Sequence, residues 1–291
     1  MNRSRNLFGC GIAALTMAVS ACGSDGNSAT APTTADFQVT GVDSALIAAR
    51  ASGDATVSDV NMINGIATMM SWNDISAPVG GSFSLVASNA PSFSSGPGSN
   101  CTLNPVDGRF DCPPVVNDHG VTVTRSLAFF DANGVMMDHF DSTTASMNVQ
   151  AILAGIVATA NGADTVNGTR NLTAIGLLGH NTTRIWSGTG AGTHGAYWSD
   201  SAATRTADVS FSSTFSNIVA QLPRSANPWP LSGTITRVVT GTGVVTKNGK
   251  TKAITISRTV VITFNGTEFV PMVVGSENFT LDLGTGVATR S

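Results

Sequence analysis

The sequence predicts a mainly β protein, one large antiparallel meander curled into a half-barrel or sandwich behind short N-terminal helices. From about residue 80 onward, alternating or β-branched runs are punctuated by Gly, Asn and Asp turns. Helical spacing is confined to a short region near residues 40–72. Charged residues make up only 11% of the chain, against about a quarter in ordinary globular proteins, while Gly, Ser, Thr, Asn and Val dominate. That composition belongs to exported β-rich proteins.

The first segment is residues 1–21. Arg3 and Arg5 form a positive start, Leu7 through Val19 is an apolar run too short to span a bilayer, and Val19-Ser20-Ala21 leads in small steps to Cys22. This stretch resembles the bacterial lipoprotein signal, or lipobox. The resemblance implies diacylglycerol on the Cys22 thiol, cleavage just before it and acylation of the freed amine, a triple-chain anchor in the membrane. Gly23 in place of an aspartate points to the outer membrane, with the periplasmic or surface face left open. Residues 22–36, small and polar, read as a lipidated flexible tether, and residues 37–291 as a single β-rich domain.

In the domain's first part, Val42, Leu46 and Ala49, then Val60, Ile63, Ala67 and Met70, recur at helical steps. Two short helices are expected, the second capped by Ser58, burdened by Gly65 and widened by Met62, Ile66 and Met69 into a buried face.

Once Cys10 leaves with the signal and Cys22 takes lipid, Cys101 and Cys112 remain as one pair in an oxidising compartment. Between them Pro105-Val106-Asp107-Gly108 is a turn with a preset φ at its first corner and a glycine at its exit. Centring a hairpin there sets the two cysteines opposite each other, and the spacing is not that of a redox CxxC pair. Farther on, Asp131-Ala132-Asn133-Gly134 separates two apolar runs, and Asn248-Gly249 separates two long Thr-rich ones. The second hairpin registers by hand: Lys247 against Lys250, Thr242 against Thr255, Thr240 against Ser257, Ile235 against Ile262.

That register places Arg237 and Arg258 on the apolar side with Ile235, Val239, Val260 and Ile262. The pattern recurs: Arg125 alternates with Val123, Leu127 and Phe129, Arg170 with Leu172, Arg184 with Trp186, and Arg205 with Val209 and Phe211. The chain's two glutamates, Glu268 and Glu277, also alternate with apolar neighbours. Inward charge is costly unless paired. Glu268 and Glu277 pairing with Arg237 and Arg258 would make a structural network, whereas an excess of inward cations in a cavity would suit an amphiphile with an anionic head.

Catalytic constellations are weak. Asp118-His119 and Asp138-His139 are adjacent pairs; neighbours on a strand face opposite sides, so adjacency does not make a hydrogen bond, and both pairs read as solvated turn residues. His180 and His194 lie in Gly-rich stretches, and metal-ligand, Walker and nucleophile-elbow spacings are all missing, so neither a metal nor a cofactor is expected. The net charge of −3, more acidic once Arg3 and Arg5 are removed, leaves no basic footprint for nucleic acid. The expected function is a non-enzymatic cell-envelope lipoprotein that binds an amphiphile or another envelope component, such as an envelope protein, on its Arg-bearing apolar face. The alternatives are a surface structural or adhesion protein using a Thr/Ser-rich outer face, and a hydrolase built on His119 or His139.

Overall fold

Where two short helices were expected, Gly41–Met69 form one helix, α1, of 29 residues. No proline interrupts the segment, and Ala45, Ala48, Ala49, Ala51 and Ala55 favour helix, so nothing stops the first turn from running into the second. Ser58 caps no new start; its hydroxyl donates to the carbonyl of Asp54 one turn back, as Thr56 does to Ser52. The structure, a computed structural model, describes residues 41–69, 101–116, 120–159, 162–178, 181–222 and 227–291. Cys22, the tether, His119 and His180 lie outside the described residues.

The helix is buried nearly all round: from Ser44 to Ile66 only Leu46, Arg50, Asp54 and Asn61 have more than marginal exposure. A helix of this kind needs partners on every side. They come from one antiparallel sheet of thirteen strands: β1 (Thr102–Leu103), β2 (Phe110–Val116), β3 (Val121–Phe130), β4 (Met136–Met137), β5 (Ser146–Thr159), β6 (Gly162–Ile175), β7 (Thr183–Ser199), β8 (Thr204–Gln221), β9 (Ser232–Lys247), β10 (Lys250–Thr263), β11 (Phe269–Val274), β12 (Glu277–Asp282) and β13 (Ala288–Arg290). Spatial order follows chain order, with β4 a short side pairing on β3. The sheet is a meander that curls around α1 without closing into a barrel.

The Asn248-Gly249 turn sets the register worked out from sequence, Lys247 opposite Lys250 and Ile235 opposite Ile262, with Arg237 facing Val260 and Arg258 facing Val239. Asn248 and Gly249 both take positive φ, as a tight two-residue hairpin requires. At one edge, Cys101 and Cys112 are bonded with Cα atoms 4.0 Å apart, next to the facing pair Thr102 and Asp111. The two edge strands have two and three residues, β1 and β13, which gives a second chain little backbone to pair with.

The inner faces of the strands and the helix form one core that includes Ile47, Met62, Ile63, Phe129, Leu153, Trp186, Phe215 and Val239. The outer face is built differently. Across β3, β5, β6, β7, β8 and β9 one rung of facing residues reads Ser126, Gln150, Asn171, Thr189, Thr214, Thr236.

Candidate functional site

Arg170 and Arg237, which alternation turned inward, meet α1, and their counter-charge comes from the helix rather than from a neighbouring strand. Asp59, wholly buried, accepts from Arg170 Nε at 2.6 Å on one oxygen and from Arg237 on the other. Arg237 also donates to the Ser52 carbonyl (2.8 Å), Thr56 Oγ1 and Ser213 Oγ (3.1 Å), so each nitrogen of its fork has a partner. Burial lowers the Arg237 pKa to about 10; Asp59 pulls it back up and Arg170 pushes it farther down. The group stays charged at neutral pH. The Phe211 ring lies 5.6 Å from both guanidinium carbons, between Arg170 and Arg237.

Two glycines of the Gly-rich strand make this possible. A Cβ on Gly190 would stand 2.5 Å from Arg170 Cδ, and one on Gly192 would stand 2.8 Å from the Phe211 ring edge. Bare backbone lets the long side chain and the ring lie flat on the sheet beneath the helix.

The other arginines divide by depth. Arg205 bonds Asp200 at 2.6 Å and Asp43 of α1 at 3.3 Å. Arg184 donates to the carbonyls of Gly176, Asn181 and Thr183, tying up a loop, and burial lowers its pKa. Arg125, 4% exposed, has its pKa lowered to about 10 by burial. Arg258 is only half-buried and donates to Ser44 Oγ and the Gly41 carbonyl at the start of α1.

The expected partnership of Glu268 and Glu277 with Arg237 and Arg258 is therefore corrected. Both glutamates are half-exposed; Glu277 pairs with Arg290 at 2.5 Å, and Glu268 lies beside Gly284. The physical reason is distance in the chain: Asp59 and Arg237 are 178 residues apart, and strand alternation carries no information about what packs above the strand.

A second polar cluster lies farther along the junction. Asp164 on β6 and His194 on β7 point inward, and Asp54 of α1 stands over them, with His194 Nε2 3.1 Å from Asp54 Oδ2. Arg50 of α1 donates to Asp164 Oδ2 at 2.8 Å and lies over the Trp198 ring at 5.0 Å. Burial raises the Asp164 pKa, Arg50 lowers it and Asp54 raises it again. Sequence spacing missed Asp54, Asp59, Asp164 and His194. The available signal was Arg50, Asp54 and Asp59 between the apolar runs of the helical segment, where a charge implies a partner.

The Asp138–His139 pair lies on an exposed turn, in keeping with the sequence reading, but its two side chains do meet. Residues 138–141 are not on a strand, so neighbours can meet: His139 Nδ1 contacts Asp138 Oδ1 at 2.6 Å and Nε2 contacts Asp141 Oδ2 at 3.0 Å. Both ring nitrogens are taken by carboxylates on an exposed loop, which leaves neither to activate a nucleophile. The hydrogen bond to Asp138, then that to Asp141, raises the imidazole pKa.

On the far side of the sheet, a groove of about 650 Å³ crosses β2, β3, β5, β6 and β7. Of its lining, the inward residues Arg125, Ala151 and Arg170 are at most 4% exposed, while Thr124, Gln150, Ile152, Thr169 and Asn171 are exposed, which puts the opening on the outer face. Its outward side chains offer hydroxyls and amides around the apolar Ile152, with the Asp111 carboxylate at the β2 end, and the central strands β5, β6 and β7 place no charge outward. No family model, no curated protein and no solved structure matches this chain.

Proposed function

We propose that this chain is a non-enzymatic, lipid-anchored protein of the bacterial cell envelope, tethered to the outer membrane through Cys22, that works through the outer face of its sheet. It acts there as a surface structural or adhesion protein binding a neutral, hydroxyl-rich envelope component. One observation carries the reading. The Arg170 and Arg237 guanidinium groups that an anionic amphiphile would need are already bonded to α1, whereas the open groove lies on the opposite face and, Asp111 on β2 apart, turns neutral groups outward. Neutral donors and acceptors on a rigid sheet suit ligands that are themselves rich in hydroxyls.

Two comparisons test it. Cys22→Ser should move the chain from the membrane fraction to the soluble one; retention after a high-salt wash would mean that lipid is not the anchor. In the groove, Asn171→Arg should abolish retention of the chain on purified neutral surface polysaccharide and leave its melt unchanged, while Arg258→Met should leave retention unchanged. A long-chain carboxylate that raises the wild-type melting midpoint, with the rise lost in Arg258→Met, would instead favour an amphiphile on the inner face.

A further inference from the structure

We propose that Asp54, Asp164 and His194 form a binding site for a divalent transition metal ion of zinc type, which cross-links the helix to the sheet. One donor atom from each residue lies within 4.8 Å of the others. The three come from three elements: Val166 faces His194 across β6 and β7, Asp164 is the next inward residue along β6, and Asp54 closes the cluster from α1. A site made this way leaves no spacing motif in the sequence.

Closeness of acids alone does not make a metal site. The second observation is a pair of buried atoms with nothing to bond. Asp164 and His194 have side chains without solvent exposure, yet Asp164 Oδ1 and His194 Nδ1 have no hydrogen-bond partner among the described residues. Such atoms are costly to leave bare. Arg50 holds the other Asp164 oxygen, and Asp54 faces the other His194 nitrogen. A metal-binding histidine ligates through one deprotonated ring nitrogen that faces the ion, and the other nitrogen keeps the proton. An ion held by both His194 and Asp54 lies on the Nε2 side of the ring, so Nε2 freed of its proton and the Asp54 carboxylate are two donors, and Asp164 Oδ1, the buried oxygen without a partner, is the third. Carboxylate and imidazole together suit zinc and its neighbours better than magnesium or calcium. Asp54 keeps 14% of its side chain exposed, which gives the ion a way in.

The test uses the full chain, stripped with a chelator and titrated with Zn²⁺ and with Co²⁺. The melting midpoint should rise with the logarithm of free Zn²⁺, as mass action requires, with about one ion bound per chain. Asp54→Asn should weaken Zn²⁺ binding about 10- to 100-fold, and Asp164→Asn at least as much. His139→Gln, on the exposed loop, should change nothing. Because Asp164 variants can fail to fold, Co²⁺ on the wild-type chain supplies an independent readout: paramagnetic shifts on the His194 ring protons. A wild-type melt indifferent to both chelator and Zn²⁺ would overturn the proposal, as would binding that survives Asp54→Asn at full strength or Co²⁺ shifts confined to His139.

Discussion

The two faces of this sheet's central strands differ in where they carry charge. The inner face carries Arg170, Arg184, Arg205 and Arg237, all buried, while the outer face of β5, β6 and β7 carries hydroxyls, amides and aliphatics without a charge. Neighbours in sequence sit in opposite environments: Thr169 is exposed and Arg170 is 2% exposed. The lesson concerns where each kind of polarity can be tolerated. A guanidinium beneath a helix is stable only because specific acceptors were brought to it, and removing one acceptor strands a charge. A threonine on the outer face keeps its water whatever its neighbours do.

The sharpest break of that contrast is Asp59→Asn against Thr169→Ala. Losing Asp59 leaves Arg170 and Arg237 buried without their shared carboxylate and should cost about 3–5 kcal/mol in denaturant unfolding. The outer substitution should stay within about 0.5 kcal/mol. Equal effects would mean that the inner network contributes no more than surface polarity. Next in size is a pair of adjacent positions on β7. A Cβ at Gly190 meets Arg170 Cδ at 2.5 Å and the Thr169 carbonyl at 3.0 Å, so Gly190→Ala should cost about 1–3 kcal/mol. Ala191→Val, facing outward one residue on, should cost less than about 0.5 kcal/mol. The smallest effect is expected on the exposed loop. The raised His139 pKa means that its contribution is complete below the ordinary value of 6.5 and fades as pH climbs through the raised one. The lowered pKa values of Asp138 and Asp141 mean that theirs is complete above 3.8 and fades as pH falls through the lowered ones. The loop should therefore be best ordered between those ordinary values, and NMR titration should show His139 moving back toward 6.5 in Asp138→Asn.

Strand content, the Asn248-Gly249 register and the facing cysteines were legible because each depends on residues close together in the chain, where alternation and turn chemistry speak directly. The same alternation placed the arginines on the inner face. It was silent on what stands above them, so the glutamates of nearby strands were matched to arginines that in fact reach Asp59, Ser44 and backbone carbonyls of α1. The helix itself was seen as two pieces, since the helical spacing of Val42, Leu46 and Ala49 stops short of that of Val60, Ile63, Ala67 and Met70, with Gly53 in the interval. Gly53 is instead a close-approach point: a Cβ there would stand 2.2 Å from the Gly286 carbonyl oxygen. The Asp54, Asp164 and His194 cluster was illegible for the same reason, being spread over three elements.

The contact between Gly53 and Gly286 joins the middle of the first element to the last turn of the chain, and Arg237 reaches Ser52 across 185 residues. Segments so far apart are slow to find one another, because loop closure must be achieved before any contact rewards it. The helix emerges before the sheet during synthesis, yet its polar groups have no complete set of partners until the C-terminal strands arrive. The half-made protein thus presents an apolar helix and unmatched arginines for the whole of that interval, and its greatest exposure to aggregation and proteolysis falls before the final strands have docked.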